Sequence, residues 1–126
     1  MFQATHSEVR GTVSSNNPMI KINNNSYLTI AVAVSIGIFF VAGQISGTLN
    51  STGLHWIAHI AAYAFLGACY AKGLPRSTVV MVTLLTAGIG GLHELYEVGR
   101  FGIDFELHDL FYDIVGAFAG ALLGRD

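Results

Sequence analysis

The ionisable residues of this chain sit at the edges of long apolar runs, and that arrangement limits the available folds more than any other feature. Residues 27–45 (YLTIAVAVSIGIFFVAGQI) carry no charge, and residues 54–71 (LHWIAHIAAYAFLGACYA) carry only two histidines. Residues 77–96 (STVVMVTLLTAGIGGLHELY) meet their first ionisable groups at His93 and Glu94. A helix needs about 20 mostly apolar residues to cross a bilayer core, so each run reads as a membrane span. A fourth run, 105–123, is chargeless only from residue 114 onward, and it spans only by taking in Asp113 and Asp109. Continuous rather than alternating apolarity argues against a β-barrel. The expected fold class is all-α, an integral membrane bundle of four transmembrane helices over residues 27–124. A polar tail rich in Asn and Ser, residues 1–26, precedes it. The first apolar run starts too far along the chain for a cleaved secretory signal, so it reads as a retained anchor.

Composition points the same way. Of the 126 residues, 52% are hydrophobic and 11% charged, against roughly 25% charged in a soluble domain. The length allows one domain. A net charge of -2 offers no bulk basic surface for nucleic acid. The one cysteine, Cys69, cannot form an internal disulfide and reads as a small packing residue.

The connections are short. Residues 46–53 (SGTLNSTG) read as an uncharged loop, residues 72–76 (KGLPR) as a tight basic turn, and residues 97–104 as a loop of mixed charge. Lys and Arg favour the cytoplasmic side. Four spans put Arg10, Lys21, Lys72, Arg76 and Arg125 on one side and Arg100 on the other. The expected location is the inner or plasma membrane, multi-pass, with both termini cytoplasmic.

This topology gathers the ionisable groups. His55 and His59 fall at the outer end of the second span, His93, Glu94 and Glu97 at that of the third, and His108, Asp109 and Asp113 at that of the fourth. Six of eight carboxylates and four of five histidines lie in or beside this region, Asp104 and Glu106 included. His55 and His59, His93 and Glu97, and Asp109 and Asp113 are each spaced i,i+4, so each pair shares a helix face; Tyr63 continues the first. A charge near the bilayer centre costs about 2.5–3.5 kcal/mol or more, so such groups face the bundle interior and mark function by default. On the fourth span the stripe continues as Gly116, Gly120 and Gly124, the small-residue spacing that lets membrane helices approach closely. Gly88, Gly90 and Gly91 offer the third span a similar approach. Trp56 and Tyr96 suit the outer interface.

The residue types admit several chemistries. Histidines with carboxylates suit Zn²⁺, Mn²⁺ or Fe²⁺. His93-Glu94-Leu95-Tyr96-Glu97 begins like the H-E-x-x-H metalloprotease pattern, but Glu97 stands where the second His belongs. A divalent metal would therefore draw on His59, His93, Glu94 and Asp109, with Glu94 doubling as general base. The plainer alternative is a hydrogen-bonded network that pins three helices together. No G-x-S-x-G elbow and no GxxxxGK loop occurs.

The third and fourth spans also resemble the VanZ-like membrane protein family. The resemblance rests on Glu94-x-x-Glu97, on Arg100 and on Asp109, Asp113, Gly116 and Gly120, with His59-x-x-x-Tyr63 and Leu66 on the second span. This sequence departs from the family pattern at Glu97, where Gln is usual, at Asp113, where Asn is usual, and at His55-Trp56, where Asp-Lys is frequent. These departures make the region more acidic and favour a cation or proton. The resemblance implies a small multispan protein with a role toward the cell envelope or a lipid headgroup and no defined reaction. The expected site is an outward-facing pocket of His59, Glu94, Glu97, Arg100, Asp109 and Asp113 that binds a lipid or envelope-precursor headgroup. Two other readings stand beside it. One is a metal-dependent membrane hydrolase or transferase. The other is a proton- or ion-coupled transport subunit, which needs a homo-oligomer because four spans are few.

Overall fold

The computed structural model describes residues 22–102 and 104–125. Four helices follow one another: α1 (Asn24–Thr52), α2 (His55–Gly73), α3 (Val79–Phe101) and α4 (Leu107–Leu123). Among the described residues there is no strand. The all-α class is as the sequence suggests. Two helices, α1 over Asn24–Val41 and α3 over Val79–Phe101, are long and apolar enough to cross a membrane. α2 carries His55, His59 and Lys72, and α4 has only 17 residues.

Three boundaries differ from expectation. Residues 46–52 are helical rather than looped, so α1 runs for 29 residues. Ser, Thr and Asn disfavour helix by only a few tenths of a kcal/mol each, too little to stop one. The chain turns instead at Gly53, whose φ of 68° lies in the left-handed region that glycine enters without steric penalty. At the next connection Thr78 caps α3, its hydroxyl accepting from the Met81 N–H at 3.2 Å. The mixed-charge loop is also shorter than expected. Glu97 and Arg100 are good helix formers, and α3 continues through them to Phe101, where Gly102 closes it at φ 68°. α4 then starts at Leu107 rather than near residue 105. Most of the expected N-terminal tail, residues 1–21, lies outside the described residues, and Asn24 to Ser26 already belong to α1.

α2 and α4 form the most extensive pair, running parallel with their backbones nearly touching. A Cβ built on Gly116 would stand 2.5 Å from the Ile60 carbonyl oxygen, and one on Gly67 2.6 Å from that of Ala117. Gly120 faces the Ala64 backbone and Gly124 that of Ala68. Each four-residue step along α4 meets a four-residue step along α2, the small-residue packing expected from the glycine spacing. α1 covers α2 and touches α3, and α3 lies against α4. A small apolar core of Tyr63, Leu66, Cys69, Tyr70, Val82, Ala121 and their neighbours fills the middle and one end of the bundle.

At that end lie the basic residues. The Lys72 ammonium sits 5.9 Å from the centre of the Tyr27 ring, and the Arg125 guanidinium donates to the Ser77 carbonyl. The other end holds the acids and histidines.

Candidate functional site

The parallel α2–α4 register brings two i,i+4 pairs face to face. His55 and His59 on α2 stand opposite Asp109 and Asp113 on α4. His59 Nδ1 lies 2.7 Å from Asp113 Oδ1, within strong hydrogen-bonding range, and Asp113 is fully buried. When Asp113 is ionised it only accepts, so His59 donates from Nδ1, and in the neutral ring Nε2 then carries the lone pair. That Nε2 lies 3.2 Å from His55 Nε2 and 3.7 Å from Asp109 Oδ2. The other nitrogen of His55 is 3.4 Å from Asp109 Oδ1. Tyr63 extends the face, its ring stacked 6.3 Å from that of His59.

α3 adds the third wall. Its buried residues Thr86, Gly90, His93, Glu94 and Glu97 share one face at helical spacing. Gly90 leaves the space that the Asp113 carboxylate fills, since a Cβ there would collide with it. His93 Nε2 is 3.6 Å from Glu97 Oε1. α1 closes the site from the side, with the Phe39 ring edge-on to His93 at 5.5 Å. The Glu106 N–H, at the start of α4, donates to Glu94 Oε2 at 3.4 Å.

Polar atoms in this interior remain unsatisfied. Among the described residues, Tyr63 Oη, Thr86 Oγ1, both nitrogens of His93, Glu94 Oε1 and Asp113 Oδ2 are buried without a hydrogen-bond partner. Buried polar groups are nearly always paired, and so many together mark a place where water, an ion or a ligand group completes the bonding.

The expected site residues divide clearly. His59, Glu94, Glu97, Asp109 and Asp113 come together at one end of the bundle. Arg100 does not join them: it is exposed, its guanidinium 5.8 Å from the centre of the Phe101 ring, and no described ion pair ties it to the acids. His108 is also exposed, about 100° round α4 from Asp109. The four proposed metal ligands separate into two groups whose donor atoms each lie within 4.8 Å. His59 and Asp109 join His55, and His93 and Glu94 join Glu97. Thr86 was missed, although it precedes His93 by seven residues and Gly90 by four, which places it on their face.

No protein-family model, no curated protein and no solved structure matches this chain.

Proposed function

We propose that the chain is an integral membrane protein whose four helices all cross the bilayer. Both termini are cytoplasmic, and an interior polar site opens toward the outer face. There it binds the phosphate-bearing headgroup of a lipid or cell-envelope precursor. One observation carries this reading: the distribution of polarity is inverted. The buried positions include Thr86, His93, Glu94, Glu97, Asp109 and Asp113, while Phe40, Leu84, Val80, Phe111 and Leu123 are each at least 60% exposed. A soluble fold arranged this way would leave a wide apolar surface in water and hold acids inside, both unfavourable. In lipid the same surface is solvated and the acids find one another.

Length and charge support the orientation. At 1.5 Å per residue α2 and α3 are about 28 and 34 Å long, matching a hydrocarbon core of about 30 Å. α1, at about 43 Å, is longer than the core and accommodates it by tilting or by extending beyond it. Lys72, Arg76 and Arg125 mark the cytoplasmic end, and the likeness of Glu94-x-x-Glu97 and the α4 stripe to VanZ-like proteins agrees with an envelope role. The acids oppose a bare anion, so a headgroup phosphate needs a bridging cation.

Binding of a short-chain isoprenyl phosphate and of dihexanoyl phosphatidylglycerol to detergent-purified protein, with Mg²⁺ or Zn²⁺ present, tests the reading. Asp109→Ala should weaken binding at least about tenfold, the loss of one charge-assisted contact. Asp104→Ala should not, because Asp104 is exposed. Equal tolerance of both changes at equal protein level would overturn the assignment.

A further inference from the structure

We infer that His55, His59 and Asp109 form a binding site for a first-row divalent metal ion of the zinc type, with Asp113 orienting His59 from behind. The inference deepens the proposed headgroup site and rests on the same interior region.

The hydrogen-bond arithmetic of the pair of histidines carries it. With Asp113 ionised and both rings neutral, His59 keeps its proton on Nδ1 and its Nε2 faces inward as an acceptor. A neutral His55 has one proton for two neighbours. If the proton is on Nε2 it satisfies His59, and the bare Nδ1 then confronts the Asp109 carboxylate at 3.4 Å. If it is on Nδ1 it satisfies Asp109, and two lone pairs then confront each other at 3.2 Å. His59 Nε2 also faces Asp109 Oδ2 at 3.7 Å, acceptor against acceptor. A single cation shared by the three residues removes every one of these conflicts.

The geometry fits that cation. Zinc holds nitrogen and carboxylate ligands at about 2.0–2.2 Å, so tetrahedral neighbours stand roughly 3.3 Å apart. With His59 Nε2, His55 Nε2 and Asp109 Oδ2 as the ligands, His59 Nε2 stands 3.2 and 3.7 Å from the other two, and the proton of His55 is left on Nδ1, 3.4 Å from Asp109 Oδ1. Metal-ligating histidines almost always donate their second N–H to a carboxylate, as His59 does to Asp113 at 2.7 Å. Three protein ligands leave a coordination position open. Glu94, 2% exposed and with Oε1 unpartnered, lies near enough to His59 and Asp109 to interact with both electrostatically. A water or a phosphate oxygen would complete the shell at the open position. The second group, His93 with Glu94 and Glu97, comes from one helix, and neither His93 nitrogen has the hydrogen-bonded backing that His59 has.

The test uses the full chain in detergent, stripped with chelator and titrated with Co²⁺ by visible absorption and with Zn²⁺ by calorimetry. One equivalent should bind with the d–d bands of a low-coordinate nitrogen–oxygen site. His55→Ala and His59→Ala should each weaken binding by more than roughly 100-fold. Asp113→Asn, which keeps an acceptor but not the charge, should preserve the stoichiometry and weaken binding about 10–100-fold. His93→Ala should weaken binding far less than His59→Ala does. Helicity and gel filtration check each variant, and His59→Gln replaces His59→Ala if the latter does not fold. Absence of stoichiometric binding would overturn the inference and leave a second proton shared by the two histidines as what settles the conflict. Loss of binding in His93→Ala with retention in His59→Ala would also overturn it, moving the metal to α3. Metal binding without headgroup binding would sink only the headgroup reading, and headgroup binding that depends on Mg²⁺ while neither Co²⁺ nor Zn²⁺ binds stoichiometrically would sink only this one.

Discussion

Replacing Gly120 with alanine probes the contact on which the site depends. An added Cβ would overlap the Ala64 carbonyl oxygen and stand 2.7 Å from its carbon and 2.8 Å from the Ala64 Cα. Carbon atoms pack best at about 3.5–4.0 Å, so the helices must part by roughly 1 Å here, and a gap of that size forfeits a quarter to a half of each neighbouring dispersion contact. Overpacking typically costs about 1–3 kcal/mol. Both colliding groups are backbone, which cannot swing aside, so the upper end applies. Gly88 supplies the matched control: nothing lies within 4 Å of a Cβ there, and Gly88→Ala should be neutral or stabilising by about 0.5–1 kcal/mol through helix propensity alone. Unfolding with sodium dodecyl sulfate in mixed micelles, followed by helicity and by the fluorescence of Trp56, measures both. Gly120 lies about 10 Å along α4 from Asp113, so the separation should also loosen the His59–Asp113 bond and weaken metal binding. Equal stability of the two variants would refute the close α2–α4 packing.

Further outcomes follow from individual side chains. His59→Ala leaves the fully buried Asp113 without its partner and should destabilise by about 3–5 kcal/mol, and the double variant His59→Ala, Asp113→Ala should recover part of that loss in the same micelle titration. Thr86→Val removes a buried hydroxyl that has no hydrogen-bond partner among the described residues, so stability should hold or rise by about 1 kcal/mol; a loss of more than 1 kcal/mol would mean that the hydroxyl is bonded to an interior water.

The gathering of the acids and histidines at one end of the bundle was more legible in the sequence than their internal partition. Counting spans and assigning the basic residues to one side was enough to bring His59, Glu94, Glu97, Asp109 and Asp113 to a common depth, because membrane topology determines depth without side-chain detail. The pairing of His55 with Asp109 and of His59 with Asp113 was also implicit, since two i,i+4 pairs on parallel helices can face each other. It required knowing that α2 neighbours α4, and glycine spacing on α4 does not name its partner. The metal quartet was divided for the same reason: ligands on α2 and α4 share a register, whereas His93 and Glu94 belong to the other wall. Arg100 was drawn toward the site by the family likeness; seven residues after His93 it keeps to that side of α3, but it lies in the last turn of the helix, beyond the buried positions, and is exposed. The helical continuation through residues 46–52 was obscured by composition, because Ser, Thr, Asn and Gly suggest a loop more readily than they enforce one.

The inverted polarity of the bundle is the claim beneath all of this, and single-cysteine accessibility in intact cells measures it directly. In a Cys69→Ala background, cysteines at positions 84, 118 and 108 would be challenged with a membrane-impermeant maleimide. Residues 84 and 118 are exposed on the apolar surface, and residue 108 lies at the acidic end. Rapid labelling is expected at 108, with protection at 84 and 118 until detergent is added. Labelling at 84 and 118 as fast as at 108, before detergent, would contradict that claim.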